Sequence, residues 1–371
     1  MMQDTHAVTA PRDARADATE LETKRQRTMD VAHAAGAAAL VVRRADTLTW
    51  LLCGADVLVS RQGGPVAEAV VHDHGVDVVT TRIEAERLRH EELPHGVAVV
   101  AVPWERPSAV GERAAELALE RAQGGAVASD AEVSLDDARW PLLAVEIERL
   151  RSAGAVTARV ATDVAATLSP ELSEHAVAGR LMGALRERGL HVPVVLVAGA
   201  ARLGHVRHPV PTHTPIGAAA MLVVCSEAHG LVSAATRIVR FGDEPGPIGQ
   251  RLAQVHAVEA AMLAATRPGA TLGDVFDAAR SAYATVGHPD AWRDHHQGGP
   301  IAYRPREGLA VPDDRRAVAV GTAYAWNPSL PWAKSEDTFV LTDAGLENVT
   351  WDERWPSVVV DGRPRADILG L

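Results

Sequence analysis

The sequence of 371 residues contains only two cysteines, Cys53 and Cys225, which lie far apart in the chain. Two separated cysteines form neither the disulfide framework of a small secreted protein nor a zinc site built from paired cysteines. Because disulfides are characteristic of oxidising compartments, their scarcity predicts a cytoplasmic protein.

Clustered basic residues are also missing, and the net charge is -11. Binding to nucleic acid requires grouped Lys and Arg side chains against phosphates, so we expect no nucleic-acid partner. No apolar run reaches the ~20 residues that a membrane-spanning helix needs. The first residues also lack the apolar core of a signal peptide, so we expect no membrane partner and no secretory leader.

The composition itself is that of a folded protein, with 47% hydrophobic and 23% charged residues. The length predicts two domains. Residues 1–20 are polar and aperiodic, which predicts a disordered tail. Residues 21–135 alternate strand-like and helix-like segments, which predicts a small N-terminal α/β domain. The predicted strands are Ala37–Val42, Leu48–Leu52, Val78–Thr80 and Val97–Val102, and the predicted helices are Glu20–Ala35, Arg82–Glu91 and Arg113–Gln123. Residues 124–140 are rich in Gly and Asp and are predicted to be the linker.

From residue 141 onward, one order of elements is predicted twice, which implies a pseudo-symmetric C-terminal domain, 141–371. Each round consists of two helices followed by three strands. The first round comprises Leu142–Leu168, a helix capped by Ser173, and strands at Val194–Val197, Met221–Cys225 and Leu231–Phe241. The second comprises Ile248–Thr266, a helix opened by Thr271 and Asp274, and strands around His295–Ala302, Ala323–Asn327 and Thr338–Leu341. A ligand would bind in the crevice where the strands of the two halves meet.

Three polar clusters lie at the edges of apolar runs in the second round. They are the sequences DHHQGG at 294–299, YAWNP at 324–328 and KSEDT at 334–338. Strands favour β-branched and aromatic residues, and buried polar groups cost free energy unless they are paired. These clusters therefore predict a functional site.

These clusters, together with RHPVPT at 207–212 and Thr236-Arg237, resemble the pita-bread fold family. That family includes creatinase, the proline-specific peptidases and methionine aminopeptidase. The resemblance covers nearly the whole chain after residue 20. It implies a creatinase-like N-terminal domain, a pita-bread C-terminal domain and a homodimer.

Peptidase members of this family hold two metal ions with two Asp, one His and two Glu. The resemblance places the two Asp positions at Val223 and Ala234, the His position at His296 and the Glu positions at Asn327 and Glu336. Catalytic metal sites usually need three protein ligands. Two remaining ligands therefore predict no dinuclear metal site and no metal cofactor, although one weakly held metal at His296 and Glu336 stays an alternative.

Creatinase offers the family's precedent for hydrolysis without metal, in which an upstream His is the acid and base. The resemblance places that role at His208, with His205 as the competing residue. Where creatinase has a Glu before the Arg of the central strand this sequence has Thr236, so creatine itself is not expected to be the substrate.

The residue types suggest further roles. His296 suits proton transfer near neutral pH, whereas His295 would alternate to the opposite face of an extended segment. Lys334 and Glu336 are two apart and share a face on a strand, and Asn327 is an amide donor for an oxyanion. We predict catalytic roles for His208, His296 and Glu336 and substrate binding by Asn327, Gln297, Arg237, Lys334, Arg306 and Glu307.

The leading functional hypothesis is metal-independent hydrolysis, or a related cleavage of a C–N or C–heteroatom bond, of a small polar metabolite. In this hypothesis Glu336 binds a cationic or NH-bearing group of the substrate. A metallo-aminopeptidase with a reduced metal site and a non-catalytic binding protein are the two alternatives.

Overall fold

The computed structural model describes residues 14–243 and 245–371, which form two compact units. The N-terminal unit comprises the described residues up to Val145 together with His229–Leu231, and the C-terminal unit comprises the described residues of Glu146–Ala228 and Val232–Leu371. Within the described residues, no helix is both long and apolar enough to span a bilayer.

The N-terminal unit is a mixed sheet packed with helices. Its elements are α1 Ala14–Ala34, β1 Ala37–Val42, α2 Ala45–Leu51, β2 Ala67–His72, β3 Gly75–Thr81, α3 Ala85–Arg87 continued by a π-helical turn Leu88–Glu92, β4 Ala98–Val102, α4 Ala109–Ala122, β5 Ala126–Ser129 and α5 Asp136–Arg139. The strand order is β4-β3-β2-β1-β5, with parallel pairing at both edges and antiparallel pairing between β1, β2 and β3.

Three sequence predictions for this unit were wrong in part. Most of the predicted tail lies outside the described residues, but residues 14–20 belong to α1, where Glu20 pairs with Lys24 one turn later. Leu48–Leu52 was predicted as a strand and instead lies in and just after helix α2, because a short apolar run fits a buried helix as well as a buried strand. Part of the predicted linker is strand β5, which pairs in parallel with β1.

The C-terminal unit has the predicted mixture of helices and strands. Its first half contains α6 Ala144–Ala165, α7 Glu174–Arg186, β6 His191–Gly199, α8 Ala200–Leu203, β7 Ala219–Ala228 and β8 Leu231–Arg240. Its second half contains α9 Ile248–Ala265, α10 Leu272–Thr285, a 3-10 turn Ala291–Arg293, β9 Gly298–Pro300, β10 Ala323–Trp326, β11 Ser329–Leu330, β12 Ala333–Lys334, β13 Asp337–Thr342 and β14 Gly345–Asn348. Three short strands follow, β15 Ser357–Val360, β16 Arg363–Ala366 and β17 Ile368–Gly370.

The second helix of each half, α7 or α10, begins where the capping residues of the sequence predict. Ser173 accepts a hydrogen bond from the backbone N–H of Ala176 at the start of α7. Thr271 and Asp274 form a reciprocal capping box at the start of α10. Each arrangement satisfies backbone donors that the first helical turn leaves unpaired.

Each half contributes one four-stranded sheet. The strand orders are β17-β8-β7-β6 in the first and β14-β13-β10-β9 in the second. In the first half, Val160 and Leu181 of the helices pack with Leu222 and Val239 of the sheet. The predicted order of two helices and three main strands, occurring twice, is confirmed.

The two sheets are joined by hydrogen bonds along β8. The backbone N–H of Thr236 donates to the carbonyl of Glu336 at 2.8 Å, and that of Ala234 donates to the hydroxyl of Thr338 at 2.8 Å. These bonds bring the centre of β8 beside the residues that precede and begin β13.

The last strands, β16 and β17, also contact this region. Strand β17 pairs in parallel with β8, and Arg365 of β16 forms a buried ion pair of 2.8 Å with Glu259 of α9. The hydroxyl of Ser335 donates to the same carboxylate at 2.9 Å. This hydrogen bond holds Ser335, the residue between Lys334 and Glu336 in the sequence, in place.

Candidate functional site

Strand register gathers the predicted site residues at one end of the second sheet. Trp326 of β10 is paired with Gly298 on one side and Asp337 on the other. The next residue, Asn327, donates its backbone N–H to the carbonyl of Gln297 at 3.1 Å. Asn327 therefore lies between the polypeptide that carries His296 and the one that carries Glu336.

Two glycines allow this close approach. Gly298 has a φ of +92°, and a Cβ built there would lie 2.1 Å from the carbonyl oxygen of Ala325. A Cβ at Gly299 would lie 2.1 Å from the carbonyl oxygen of Gly308. Since no other residue type lacks a Cβ, Gly298 allows β9 to pack closely beside β10, and Gly299 allows it to pack closely against the segment at Gly308.

A buried carboxylate with two cationic partners forms the charged part of the site. Glu336 accepts an ion pair from the Lys334 ammonium at 2.7 Å on one oxygen and from the Arg306 guanidinium on the other. The hydroxyl of Thr236 adds a hydrogen bond of 3.2 Å. Burial alone would raise the pKa of Glu336, but the charges of Lys334 and Arg306 outweigh it and lower the pKa to about 2. The carboxylate is therefore ionised, and the three charged groups together carry one net positive charge.

Three histidines lie beside this charged group, with one ring nitrogen of each within 4.8 Å of the others. Nδ1 of His295 lies 2.6 Å from the carbonyl oxygen of His296, so Nδ1 carries the proton and donates. Nε2 of His295 is then an acceptor, and it lies 3.0 Å from Nε2 of His208. His208 therefore donates from Nε2 and keeps the lone pair of Nδ1.

His296 has the opposite tautomer to His295. Its Nδ1 accepts a hydrogen bond of 3.3 Å from the backbone N–H of Gly298, which leaves the proton on Nε2. The rings of His295 and His296 are stacked with centroids 4.5 Å apart.

All three imidazoles are held in the neutral form. Burial, assisted by the charge of Lys334, lowers the pKa of His295 to about 3. Burial and the charges of Arg306 and Lys334 lower the pKa of His296 to about 4. Partial desolvation of its ring and the charge of Lys334 also lower the pKa of His208. Neutral imidazoles accept protons at neutral pH.

The strands of the first half present an apolar surface to the site, which we call the apolar floor. Leu222, Val224 and Ala235 face the helices of that half. Because side chains alternate along a strand, Val223, Cys225 and Ala234 face the other way, as does Thr236, which contacts Glu336. Burial and the charge of Glu336 raise the pKa of Cys225 to about 11, so it is a protonated thiol at neutral pH.

Several predicted substrate-binding residues have internal partners instead. The Gln297 amide accepts from the Tyr283 hydroxyl at 3.0 Å and donates to the carbonyl oxygen of His295, so it shapes the histidine turn. Arg237 pairs with Asp337 at 3.0 Å and donates to the carbonyl of Thr350. The Glu307 carboxylate accepts from the backbone N–H of Tyr303 at 2.8 Å. These three residues are better described as structural than as substrate contacts.

The prediction that His295 points to the opposite face from His296 was wrong, because the segment is not extended there. Strand β9 begins only at Gly298, so the residues before it form a turn and the two-residue alternation of a strand does not apply. His295 therefore lies in the same cluster as His296. Of the two upstream candidates, His208 belongs to this cluster and His205 lies outside it.

Two polar atoms at the site have no hydrogen-bond partner among the described residues. They are Oδ1 of Asn327 and Nε of Arg306, and both are buried. Buried polar groups are normally hydrogen-bonded, so these two atoms are available to a polar ligand.

Comparison with known proteins identifies the family. The model of metallopeptidase family M24 matches residues 148–343, so the chain belongs to this family of hydrolases. No curated protein matches the sequence.

Solved structures share the fold over nearly the whole chain. The dipeptidase PepE from Mycobacterium ulcerans has a TM-score of 0.72 and 21% identity, over 98% of this chain and 100% of that one. The prolidase from Pyrococcus horikoshii OT3 has a TM-score of 0.71 and 16% identity, over 89% and 99%. The N-terminal domain of FACT complex subunit SPT16 from Cicer arietinum has a TM-score of 0.67 and 13% identity, over 91% and 97%.

The family name implies a metal centre, and the residues present can be tested against one. At the positions that the resemblance assigns to the two Asp ligands, Val223 and Ala234 offer no ligand atom. At the last Glu position, both oxygens of Glu336 are engaged by Lys334 and Arg306. Dinuclear centres need several carboxylates to neutralise the ions, so these residues do not fit one.

Proposed function

We propose that this protein is a metal-independent hydrolase or lyase that cleaves a C–N or C–heteroatom bond of a small polar metabolite. The observation that carries the proposal is the neutralisation of Glu336 by Lys334 and Arg306. Two protein cations lie where a metal ion would have to approach this carboxylate, and repulsion between like charges opposes a divalent ion there.

In the proposed hydrolysis, the histidines transfer the proton. His208 accepts a proton from water at Nδ1, while its Nε2–H remains bonded to His295. The hydroxide adds to the electrophilic carbon, and the negative charge that develops on the substrate is stabilised by the Nε2–H of His296. The C–N bond then breaks with its electron pair on nitrogen, which takes the proton from His208. His295 is a positioning residue, because its own ring is fixed by the carbonyl of His296.

This mechanism changes the role expected of Glu336. The sequence hypothesis assigned it to bind a cationic group of the substrate. Its two oxygens already accept from Lys334, Arg306 and Thr236, so a cationic ligand would have to displace them. Glu336 instead holds the two cations in place.

The proposal is tested with protein dialysed against a strong chelator and analysed for metals. We expect turnover of at least one member of a panel of amides, amidines and dipeptides at less than one equivalent of metal per chain. Activity that disappears on dialysis and returns with an added divalent ion would overturn the metal-independent mechanism.

A metallo-aminopeptidase with a reduced site is the second candidate, favoured by the three-histidine cluster. His208, His295 and His296 offer three nitrogen atoms within 4.8 Å, and neutral imidazoles are good ligands for transition metals. In that case added Zn²⁺, Mn²⁺ or Co²⁺ would bind with one ion per chain and raise peptidase activity. A non-catalytic binding protein is the third candidate, and binding of a small molecule without turnover would favour it. The homodimer stays a prediction.

A further inference from the structure

Trp332 has a backbone conformation that tryptophan rarely adopts. It follows Pro331 at the turn between β11 and β12, and its φ is +83°. After a proline, such a positive φ is typical of a type II turn, which normally has glycine at this position. A bulky residue with positive φ persists only where the surrounding structure holds it. The indole side chain therefore makes contacts that offset this strain.

Two glycines provide the contacts that hold the indole ring. A Cβ built at Gly204 would lie 2.9 Å from Nε1 of Trp332, and one built at Gly246 would lie 3.1 Å from Cζ2. The backbone N–H of Trp332 also donates to the carbonyl of Leu203 at 2.9 Å. Gly246 lies in the segment between β8 and α9, where the first half ends. The ring is thus packed directly against backbone outside its own hairpin.

These contacts lie at the base of the loop that carries His208. We call residues 204–218, between α8 and β7, the His208 loop. Gly204 is its first residue, and His208 follows four positions later. Directly after Trp332, strand β12 ends at Lys334 of the charged group. One side chain therefore links the base of the His208 loop to the second half of the C-terminal unit.

The position of this loop matters because of one hydrogen bond. Nε2 of His208 lies 3.0 Å from Nε2 of His295, and a displacement of about 1 Å would break such a bond. The carbonyl of Pro209 accepts from the backbone of β6, which holds the loop to the first half only. Arg207 reaches Asp294 at 3.5 Å, but Asp294 is exposed and exposed ion pairs contribute little. The contact of Trp332 is thus the packed connection to the half that carries His295.

We propose that Trp332 is a positioning residue, which holds the His208 loop against the second half and so maintains the hydrogen bond between His208 and His295. Its kinetic consequence rests on the proposed function, in which His208 transfers the proton. Trp332 acts through the loop and not on the substrate. Glycine at this position would relax the backbone and leave the base of the loop unsupported.

The hydrogen bond itself gives a readout that needs no substrate. In protein labelled with ¹⁵N at histidine, a coupling between the two Nε2 atoms reports the bond, and its loss in His208→Gln assigns the signal. We expect the coupling in the wild type and its loss in Trp332→Gly. Its absence from the wild type, or its persistence in folded Trp332→Gly protein, overturns the proposal.

Gln123→Gly is the matched control for relief of backbone strain. Gln123 also has a positive φ, +49°, but it follows α4 in the N-terminal unit. The coupling should stay unchanged in this variant. Its loss there would show that the bond responds to changes far from the His208 loop, which overturns the specific role of Trp332.

Gly204→Ala tests the same contact from the loop side. Gly204 has a φ of −79°, which alanine adopts readily, and the nearest atoms to an added Cβ belong to Trp332. We expect a weaker coupling and a lower melting temperature. In the Trp332→Gly background, where the ring is absent, Gly204→Ala should no longer lower the melting temperature. If Trp332→Gly does not fold, Gly204→Ala decides, and an unchanged coupling overturns the proposal.

Kinetics separate this inference from the proposed function. If a compound of the panel is turned over, Trp332→Gly should lower kcat by about ten- to one-hundred-fold and leave KM nearly unchanged, because misplacing a reacting group by about 1 Å costs that much. A higher KM with unchanged kcat would show that Trp332 holds the substrate, which overturns the proposal. If no compound is turned over, the proposed hydrolase or lyase fails, and the coupling still decides the role of Trp332.

Discussion

The two halves of the C-terminal unit have the same order of elements but contribute different chemistry. Both consist of two helices followed by three main strands, and each gives one sheet. On the strands of the first half, Val223 and Ala234 face the site. In the second half, His296, Asn327 and Glu336 do so.

This difference shows that the fold and the site depend on separate sets of residues. The helix faces and the core-facing strand residues, such as Leu222 and Val224, are apolar in the first half, and they preserve the architecture. The opposite faces of the same strands are free to vary. The first half contributes an apolar floor and one loop histidine, His208, while nearly all charge comes from the second half.

Placing a carboxylate on the apolar floor should have the largest effect. Val223 is 3% exposed, so Val223→Asp buries a carboxylate whose desolvation the one surplus positive charge of the site offsets only in part, and it should lower the free energy of unfolding by about 3–5 kcal/mol. Chemical denaturation measures this loss. The control is Val359→Asp, at a position 70% exposed, which should be close to neutral. If the Val223→Asp protein were fully stable and bound two metal ions, the first-half strands would tolerate a carboxylate at this face, contrary to the apolar surface described for them.

The close contact at β9 should have the next largest effect. Gly298→Ala adds a Cβ that overlaps the carbonyl of Ala325 and forces a residue into positive φ. We expect a loss of about 3 kcal/mol in the free energy of unfolding. Gly179→Ala, in α7 of the first half with open space around it, should instead raise stability by about 0.5–1 kcal/mol through helix propensity. Equal changes in the free energy of unfolding for Gly298→Ala and Gly179→Ala would show that the close contact at β9 is no more sensitive than an open helix position in the first half.

Much of the fold was predictable because local rules apply to it. The capping residues Ser173, Thr271 and Asp274 predicted where their helices begin. The order of helices and strands then indicated the resemblance to the pita-bread fold family. The placement of candidate site residues was predictable only beside strand ends, as for Asn327 after β10 and Glu336 before β13. The role of His295 depended on a turn before β9, and the internal roles of Gln297, Arg237 and Glu307 depended on distant partners such as Tyr283 and Thr350. The pairing of Arg306 with Glu336 joins residues thirty positions apart, which no local pattern reveals.

Removing the one polar residue that the first half gives to the histidine cluster should affect activity more than stability. His208 is exposed, so His208→Ala should change the melting temperature little while lowering kcat/KM by about 10²-fold, as expected for loss of a general base. His205→Ala, in the same loop but outside the cluster, is the matched control and should keep full activity. Equal losses in both variants would show that only the loop conformation matters.

The smallest expected effect is a change in pH dependence. Partial desolvation of the ring, Lys334 and Arg306 lower the pKa of His208, whereas Glu336 raises it. The base should therefore stay deprotonated below its ordinary pKa of 6.5, and the acid limb of kcat/KM should lie below pH 6.5. Lys334→Met removes one of the lowering charges, so its acid limb should move to higher pH. An acid limb that stays in place or moves downward would show that Lys334 does not act on the base.

The ion pair between Glu259 and Arg365 has a practical consequence for anyone who shortens this protein. Deleting residues 364–371 to aid crystallisation would remove strand β17 from the edge of the first sheet and take Arg365 away from Glu259. The carboxylate that fixes Ser335 would then be enclosed without its cation, directly behind Lys334 and Glu336. A preparation trimmed in this way would report on a damaged site, and its inactivity would carry no information about the catalytic residues.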